Sequence, residues 1–353
     1  MSQLRGHPIT IGMRTQQAIP DALRGWIERL AGEPIREVTI ERRALAGGLE
    51  APEVVLVTAR YRDGSNRARM LRVVVKRLHG RAVREAAVYE QLAATCATEV
   101  SPQLLGVWHA APDRALLCIE AVRRVRAWPW RDLSIAGELL ARLARFHTAA
   151  AEAAPEVPEW DYEAELRASA EATRTMVDRC RLNPDLSVLA RSLPPVDRIV
   201  LALPRLRSQL LTEGPFARTP IHGDVHTGNA LVRRRGRGDE PVLLDWGRAR
   251  AASPFEDVSA WLQSLGFWEQ AARRYHDTLF AAYLSALGLE RKLTAPMRAA
   301  YWMAGASNAL AGPLLHHLAI VEDERQSAFR RAAAFRAARD WLRVVRRADA
   351  WWG

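Results

Sequence analysis

The segment IHGDVHTGN at residues 221–229 constrains the local fold of this chain more than any other part of the sequence. It places Asp224 and Asn229 five residues apart around a short glycine-containing loop. Two short apolar runs follow, NALV and PVLLDW, separated by a turn rich in glycine and arginine, and this pattern is typical of a β-hairpin. Asp245 lies at the end of the second run, so the sequence predicts a hairpin with Asn229 at its start and an aspartate at its end.

The hairpin interrupts a chain whose two halves differ in character. Before residue 123 the sequence shows β-rich runs with turn residues between them, together with helical spacing around Trp26 and Ile27, ended by Gly32, and in REAAVYEQLAA. The predicted strand segments are REVTIERRALA, EVVLVTARYR, MLRVVVKRL, QLLGVWHA and RALLCIEAV. After Ser134 helical patterns dominate. We therefore expect an α+β fold of two lobes, a small antiparallel sheet lobe at 1–122 and a mainly helical lobe at 123–353, with the active site in the cleft between them.

Composition excludes several classes of protein. No run of 18 apolar residues occurs, and the N-terminal segment has no apolar stretch of the kind found in secretion signals. The three cysteines, Cys96, Cys118 and Cys180, are far apart and form no CxxC pair, which argues against a disulfide framework and a zinc site. We expect a water-soluble cytoplasmic protein with no membrane partner.

The net charge of +11 raises the alternative of a nucleic-acid-binding protein. Of 51 basic residues only Lys76 and Lys292 are lysines, so 51 − 2 = 49 are arginines, and they are scattered along the chain. The one tight run, residues 233–237, lacks the interleaved aromatic residues of a nucleic-acid surface. The charge therefore indicates a bias toward arginine, and no nucleic-acid partner is expected.

The pattern HGDxHxxN followed by an Asp-Trp step resembles the catalytic elements of the aminoglycoside phosphotransferase and choline kinase family. The resemblance extends along nearly the whole chain: a glycine-containing hairpin, a strand lysine, a helix glutamate, a hinge, a LARFH helix and then the catalytic hairpin. It departs from protein kinases at Gly223, where they have arginine, and at Trp246, where they have phenylalanine. It implies a kinase-like fold that transfers the γ-phosphoryl group of ATP to a hydroxyl of a small molecule, such as an antibiotic, a sugar, an amino alcohol or an amino-acid derivative.

The resemblance also assigns roles to the hairpin residues. Asp245 would hold Mg²⁺ that bridges the ATP phosphates, and Asn229 would help to hold a second ion, because hard cations prefer oxygen ligands. Asp224 would orient the acceptor hydroxyl and take its proton as the general base. His222 and His226 lie four residues apart, so a zinc site is the alternative, but a suitable further ligand is missing nearby. His222 is expected to brace the loop and His226 to line the acceptor side.

Lys76 follows the apolar run Val73 to Val75, where the resembled family has its phosphate-contacting lysine. An ordinary solvated lysine is the alternative, yet the chain uses lysine only twice. Glu85 lies on the apolar face of the next helix and is the expected partner of Lys76, with Glu90 as its rival. Gly47 and Gly48 fit a hairpin turn over the ATP phosphates, although an ordinary turn has the same composition.

The remaining assignments concern the nucleotide base, the loop and the acceptor. The backbone of Glu120 and Val122, in the predicted hinge 118–122, would contact adenine, and Asp257 would steady the catalytic loop. Residue type and rough location in the helical half give five acceptor candidates: Trp160, Asp161, Glu163, Trp261 and Trp268. The net positive charge disfavours a polycationic acceptor. An ATP-binding pseudokinase that acts as a regulator or scaffold is the non-enzymatic alternative, against which the retained aspartates and lysine argue.

Overall fold

The computed structural model describes residues 24–28, 34–45, 53–122, 128–212, 218–235, 238–290 and 292–352. Gly32, Gly47 and Gly48 lie outside the described residues. The chain forms two compact units: Met1–Glu90 with Pro102–Ala121, and Gln91–Ser101 with Val122–Gly353. Domain limits at residues 122 and 123 stay a prediction.

The first unit is built on a five-stranded antiparallel sheet with the strand order β1-β2-β3-β5-β4. Its strands are β1 (Arg36–Leu45), β2 (Glu53–Arg62), β3 (Ala68–His79), β4 (Leu104–Ala111) and β5 (Arg114–Glu120). All five predicted strands are confirmed. Helix α1 (Arg84–Val88) follows β3 through a 3₁₀ turn and continues as a π-helical stretch, Tyr89–Ala93, into the short helix α2 (Ala94–Cys96).

Strand β3 lies at the centre of this sheet, and its two faces have different surroundings. Val73 and Val75 point into a core that also contains Trp26 and Cys118. Because side chains alternate along a strand, Lys76 points to the opposite face. It is paired in register with Leu117 of β5 and is only 9% exposed. A charged side chain buried to this degree requires a partner of opposite charge.

The second unit is mainly helical, which confirms the α+β class. Its helices of eight or more residues are α3 (Leu133–Ala153), α4 (Tyr162–Arg179), α6 (Leu193–Thr212), α7 (Pro254–Trp268), α9 (His276–Ala286), α10 (Ala295–Leu310), α11 (Pro313–Glu322) and α12 (Ala328–Trp352). Two shorter helices are α5 (Ser187–Ala190) and α8 (Gln270–Arg274). Apolar stripes build the core, and in the predicted LARFH helix α3 these include Leu139, Leu143 and Phe146.

Two small antiparallel pairs interrupt the helices. Strand β6 (Thr219–Ile221) pairs with β9 (Arg250–Ala252), and β7 (Ala230–Arg235) pairs with β8 (Gly238–Leu243). The β7–β8 hairpin confirms the prediction from NALV and PVLLDW, but the expected strand extent was wrong at its end. Strand β8 stops at Leu243, because Asp245 has a left-handed backbone that cannot continue a strand.

The states of the cysteines and the lengths of the helices bear on two further predictions. All three cysteines are free thiols, and Cys118 and Cys180 are buried. Burial raises the pKa of the Cys118 thiol to about 12. Within the described ranges, no helix combines the length and the apolar character needed to cross a membrane.

Candidate active site

The predicted catalytic loop, residues 222–229, begins where β6 ends and finishes where β7 begins. Because β6 pairs with β9 and β7 pairs with β8, the segment between β8 and β9 is held opposite this loop. The backbone amide of Leu244 donates to the carbonyl of Asn229 at 2.7 Å, which places Asp245 one residue from that contact. The two motif segments, 22 residues apart in sequence, are therefore fixed next to each other.

The buried carboxylate of Asp257, on the first turns of α7, holds the start of the loop. Its Oδ2 accepts from the backbone amide of His222 and its Oδ1 from that of Gly223, each at 2.8 Å. The His147 ring of α3 lies 3.2 Å from Oδ2 and 2.8 Å from the Tyr283 hydroxyl. Burial alone would raise the pKa of Asp257, but the hydrogen bonds from His147 and the Gly223 amide lower it below its usual value. Asp257 is thus an ionised anchor, while Ser253 caps the helix.

His222 joins the two motif segments through its ring. Nδ1 accepts from the backbone amide of Asp224 at 3.2 Å, and Nε2 lies 2.9 Å from the carbonyl of Leu244. A neutral ring with its proton on Nε2 satisfies both contacts. Burial lowers the pKa of His222, which favours that neutral form. The expected bracing role of His222 therefore has a defined geometry, with Asp224 on one side and the residue before Asp245 on the other.

Asp224 and Asn229 contact each other directly. The Asn229 side-chain amide donates to the Asp224 carbonyl at 3.1 Å and to its Oδ2 at 3.0 Å. The Asp224 carboxylate is 36% exposed, so a small molecule can reach it. Burial would raise the pKa of Asp224, but the His226 ring and the positive charge of Arg248 lower it below the usual value. The carboxylate is therefore ionised at neutral pH and able to accept a proton.

Asp245 has φ of 63° and ψ of 66°, the left-handed region that non-glycine residues rarely adopt. The strain of such a position is on the order of 1 kcal/mol. The following residue stabilises it: the Trp246 side chain is fully buried, packs on Phe146 and His222, and donates from Nε1 to the Leu243 carbonyl at 3.1 Å. Backbone strain of this kind is concentrated at functional sites.

The donor set of the loop suits a hard divalent cation. Asn229 uses its NH₂ group on Asp224, which leaves its side-chain oxygen as a possible ligand, and Asp245 supplies a carboxylate. Oxygen ligands of this kind are those Mg²⁺ prefers. In the part of the chain that the structure describes, no group of three or more His, Cys, Asp or Glu side chains is arranged to hold a metal ion. His226 instead accepts from the Gly228 amide at 3.0 Å, so the zinc alternative gains no support.

In the first unit, Lys76 and Glu85 form a buried ion pair. The distance from Nζ to Oε1 is 2.6 Å, and the two side chains are 11% and 4% exposed. The rival, Glu90, instead lies 3.6 Å from the His109 ring on the surface. In the structure Lys76 is therefore paired with Glu85, as expected, and Glu90 lies against His109 instead.

The predicted hinge residues Glu120 and Val122 have different backbone environments. The backbone amide of Glu120 donates to the Gln103 carbonyl at 2.9 Å within the sheet, so an adenine contact from Glu120 would use its carbonyl oxygen. Val122 follows the strand and is partly exposed. The proposed phosphate-covering turn at Gly47 and Gly48 lies outside the described residues.

The five acceptor candidates have different environments. Trp261 is buried against Trp130 and belongs to the core. Asp161 caps α4 through the Ala164 amide, and Glu163 is paired with Arg207. Trp268 is exposed, and Trp160 lies beneath the guanidinium of Arg248.

Sequence reasoning missed a buried charge network beside the loop. Glu256 accepts from Arg207 and Arg250 at 2.5 Å each, and Arg250 also donates to the Gly223 carbonyl at 3.1 Å. The Arg250 guanidinium lies 3.7 Å above the Tyr162 ring. Burial would raise the pKa of Glu256, but the two guanidinium groups lower it. The overall abundance of arginine hid these two residues, and the sequence offered no other signal for them.

Arg248 differs from Arg250 in having no ion pair among the described residues. Its guanidinium lies 4.9 Å from the centre of the Trp160 ring, and among the described residues it makes no ion pair or side-chain hydrogen bond. Its charge nevertheless acts on Asp224, whose pKa it helps to lower. A positive group without an anionic partner thus lies close to the candidate base.

Comparisons with known proteins are consistent with this geometry. The model of the phosphotransferase enzyme family matches residues 41–299. Similar solved structures include choline kinase from Cryptosporidium parvum (12% identity, 87% of this chain and 88% of that chain, TM-score 0.55). An aminoglycoside phosphotransferase from Alicyclobacillus acidocaldarius is also similar (14% identity, 87% of this chain and 90% of that chain, TM-score 0.52). So is the amicoumacin kinase hAmiN in complex with AMP-PNP and Ca²⁺ (16% identity, 86% of this chain and 88% of that chain, TM-score 0.54). The search of curated protein sequences found no match.

Proposed function

This chain belongs to the phosphotransferase enzyme family, and on that premise we propose that it transfers the γ-phosphoryl group of ATP to a hydroxyl group of a small molecule. The observation that supports this most directly is the Asp224 carboxylate, which is accessible, ionised and held by Asn229 in a loop anchored at Asp257. Fold similarity alone does not define chemistry, so the proposal depends on this site.

In this mechanism Asp224 accepts a hydrogen bond from the acceptor hydroxyl and orients its oxygen toward the γ-phosphorus. Phosphoryl transfer requires mainly positioning and charge stabilisation, so the base takes the proton late in the reaction. A carboxylate with a lowered pKa is a weak base but remains ionised, which suits a positioning role. Asn229 and Asp257 keep the carboxylate and its loop in place.

Asn229 and Asp245 would hold the magnesium ions. Held by these two side chains, Mg²⁺ would supply positive charge that offsets the negative charge developing during transfer. Lys76, positioned by Glu85, would contact the phosphates, and the Glu120 carbonyl and the Val122 amide would contact adenine. Gly47 and Gly48 would cover the phosphates.

The charges around Asp224 indicate the class of acceptor. Glu256 and Glu163 are both occupied by arginines, so they are poor sites for an ammonium group. Arg248 adds an unpaired positive charge beside the base. We therefore propose a neutral or anionic hydroxyl compound, such as a sugar, a hydroxy acid or an amino-acid derivative, rather than a polycationic aminoglycoside.

The test measures ADP release from Mg·ATP by the wild type, Asp224→Ala and Asp245→Ala across hydroxyl compounds: aminoglycosides, other antibiotics, sugars, amino alcohols and hydroxy amino acids. Nucleotide binding is measured separately by calorimetry. We expect an acceptor whose phosphorylation is lost in both variants, with Mg·ATP binding retained in Asp224→Ala and weakened in Asp245→Ala. Asp239→Ala, a change in the β7–β8 hairpin at a side chain paired with Arg234, is the control.

Turnover by Asp224→Ala equal to that of the wild type would refute the mechanism. Nucleotide binding without transfer to any compound would favour a pseudokinase, and failure to bind nucleotide would overturn the proposal.

A further inference from the structure

A cavity of about 340 Å³ lies among helices α7, α8, α9, α10 and α12 of the second unit. Neither the loop 222–229 nor Asp245 lines it. The volume is at the lower end of the range for small-molecule pockets. The cavity is therefore a separate candidate binding site for a compact ligand.

Positive charge dominates its walls. Four arginines line the cavity, Arg273, Arg298, Arg343 and Arg347, against one carboxylate, Asp277. Two of these guanidinium groups are neutralised within the protein. Arg298 makes a two-pronged contact with Asp277 at 3.1 and 2.9 Å, and Arg273 donates to Asp340 at 2.6 Å.

Arg343 and Arg347 remain poorly compensated. Among the described residues, the nearest carboxylate oxygen to Arg343 is 3.8 Å away, on the Asp340 that already binds Arg273, and the buried Nε of Arg343 has no hydrogen-bond partner there. Arg347 makes no ion pair among the described residues. The two lie four residues apart on α12, where like charges repel. Burial lowers the pKa of Arg343, and the charges of Arg273 and Arg347 lower it further.

The remaining wall is aromatic and contains another unsatisfied polar atom. The His276 ring lies parallel to Trp302 at 6.2 Å and edge-on to Tyr301 at 4.8 Å. Its Nδ1 contacts Asp277 at 3.3 Å, whereas its Nε2 is buried and has no partner among the described residues. A buried polar atom without a partner is costly in a folded protein, so a ligand that supplies one is favoured.

We propose that this cavity binds an organic oxyanion, a phosphate or carboxylate group attached to a planar ring. The anion would lie against Arg343 and Arg347, because guanidinium groups donate paired hydrogen bonds to such oxygens. The ring would pack against Trp302 and Tyr301, and His276 Nε2 would meet a polar atom of the ligand. This inference does not depend on the proposed transfer activity.

The experiment measures the binding of phenyl phosphate and benzoate to the full chain by calorimetry and by the shift of Tm, at constant ionic strength. Inorganic phosphate tests the contribution of the ring, and benzyl alcohol tests that of the charge. The variants are Arg347→Gln and Arg343→Gln/Arg347→Gln. Arg346→Gln, an exposed arginine on the same helix that does not line the cavity, is the matched control.

We expect saturable binding of at least one of the two ring anions, unchanged in Arg346→Gln and at least tenfold weaker in the double variant. The preferred anion distinguishes a phosphate ligand from a carboxylate. Arg347 is exposed, so Arg347→Gln tests the site even where the double variant does not fold. Absence of binding by both ring anions overturns the proposal. Binding by Arg347→Gln as tight as that by the wild type overturns it as well, whether or not the double variant folds.

Discussion

The carboxylate of Asp257 accepts a 2.8 Å hydrogen bond from the backbone amide of His222, 35 positions earlier in the chain. The same carboxylate holds Gly223 and contacts His147 of α3. One buried anion thus connects the loop 222–229 with two helices, and the position of Asp224 depends on it.

Asp257→Asn should loosen the loop without changing the shape of the side chain. An amide has one acceptor oxygen where the carboxylate has two, so one backbone N–H loses its partner. The free energy of unfolding should fall by about 1–3 kcal/mol. Transfer should slow by roughly tenfold or more, as expected when a catalytic group is misplaced. Urea unfolding and steady-state kinetics measure the two effects. Asp185→Asn, at an exposed position, is the control, and wild-type values for Asp257→Asn would contradict the assignment.

Lys76→Met should remove the ammonium group that faces the buried Glu85 carboxylate at 2.6 Å and destabilise the protein by about 3 kcal/mol or more. Lys292→Met, which changes the other lysine at an exposed position, should have little effect. The double variant Lys76→Met/Glu85→Leu should recover much of the stability, because it replaces the ion pair by apolar side chains. It should still bind Mg·ATP at least tenfold more weakly than the wild type. Calorimetric nucleotide binding by the double variant as tight as that of the wild type would show that Lys76 has only a structural role.

Gly223→Ala can be compared with Gly288→Ala, because both glycines have positive φ, 80° and 73°. A Cβ at Gly223 would collide with the Arg248 carbonyl and the Arg250 guanidinium, whereas a Cβ at Gly288 would meet open space. Both variants should lose about 1–2 kcal/mol from the left-handed backbone. Only Gly223→Ala should lose more and also lower kcat. Thermal unfolding and kinetics of the pair provide the measurement, and equal losses would rule out the steric argument.

His317 should make the protein less stable in mild acid. Burial lowers its pKa from 6.5 to about 4. Between these values the unfolded chain binds a proton that the folded chain does not, so stability falls as the pH drops through this window and is fully present above it. The loss should be on the order of 1 kcal/mol, since the ring is partly exposed. His317→Gln should therefore lose less Tm between pH 7 and pH 5 than the wild type, whereas His79→Gln, at an exposed site, should behave like the wild type. An identical pH dependence in all three proteins would argue against this role.

The sequence predicted correctly the features that depend on the local spacing of residue types. The apolar runs NALV and PVLLDW with the turn between them predicted the hairpin, and helical position selected Glu85 as the partner of Lys76, because both follow from local geometry. It could not show that Asp245 leaves the strand, since the left-handed backbone is imposed by the packing of Trp246 on Phe146.

The missed residues depend on long-range contacts. Glu256 meets Arg207, 49 positions earlier, only in the folded chain, and Arg248 is identified by having no ion pair among the described residues. In a chain with 49 arginines, residue type alone could not separate these from the rest.

The left-handed backbone of Asp245 implies a conflict between thermal stability and catalytic activity. Glycine adopts that conformation without steric cost, although it also loses more entropy on folding. Selection for thermal stability alone is therefore expected to replace the Asp245 carboxylate. Stabilising changes at strained functional positions commonly abolish activity. Variants of this protein recovered from a screen for thermal survival should accumulate substitutions at this position, and they should be inactive.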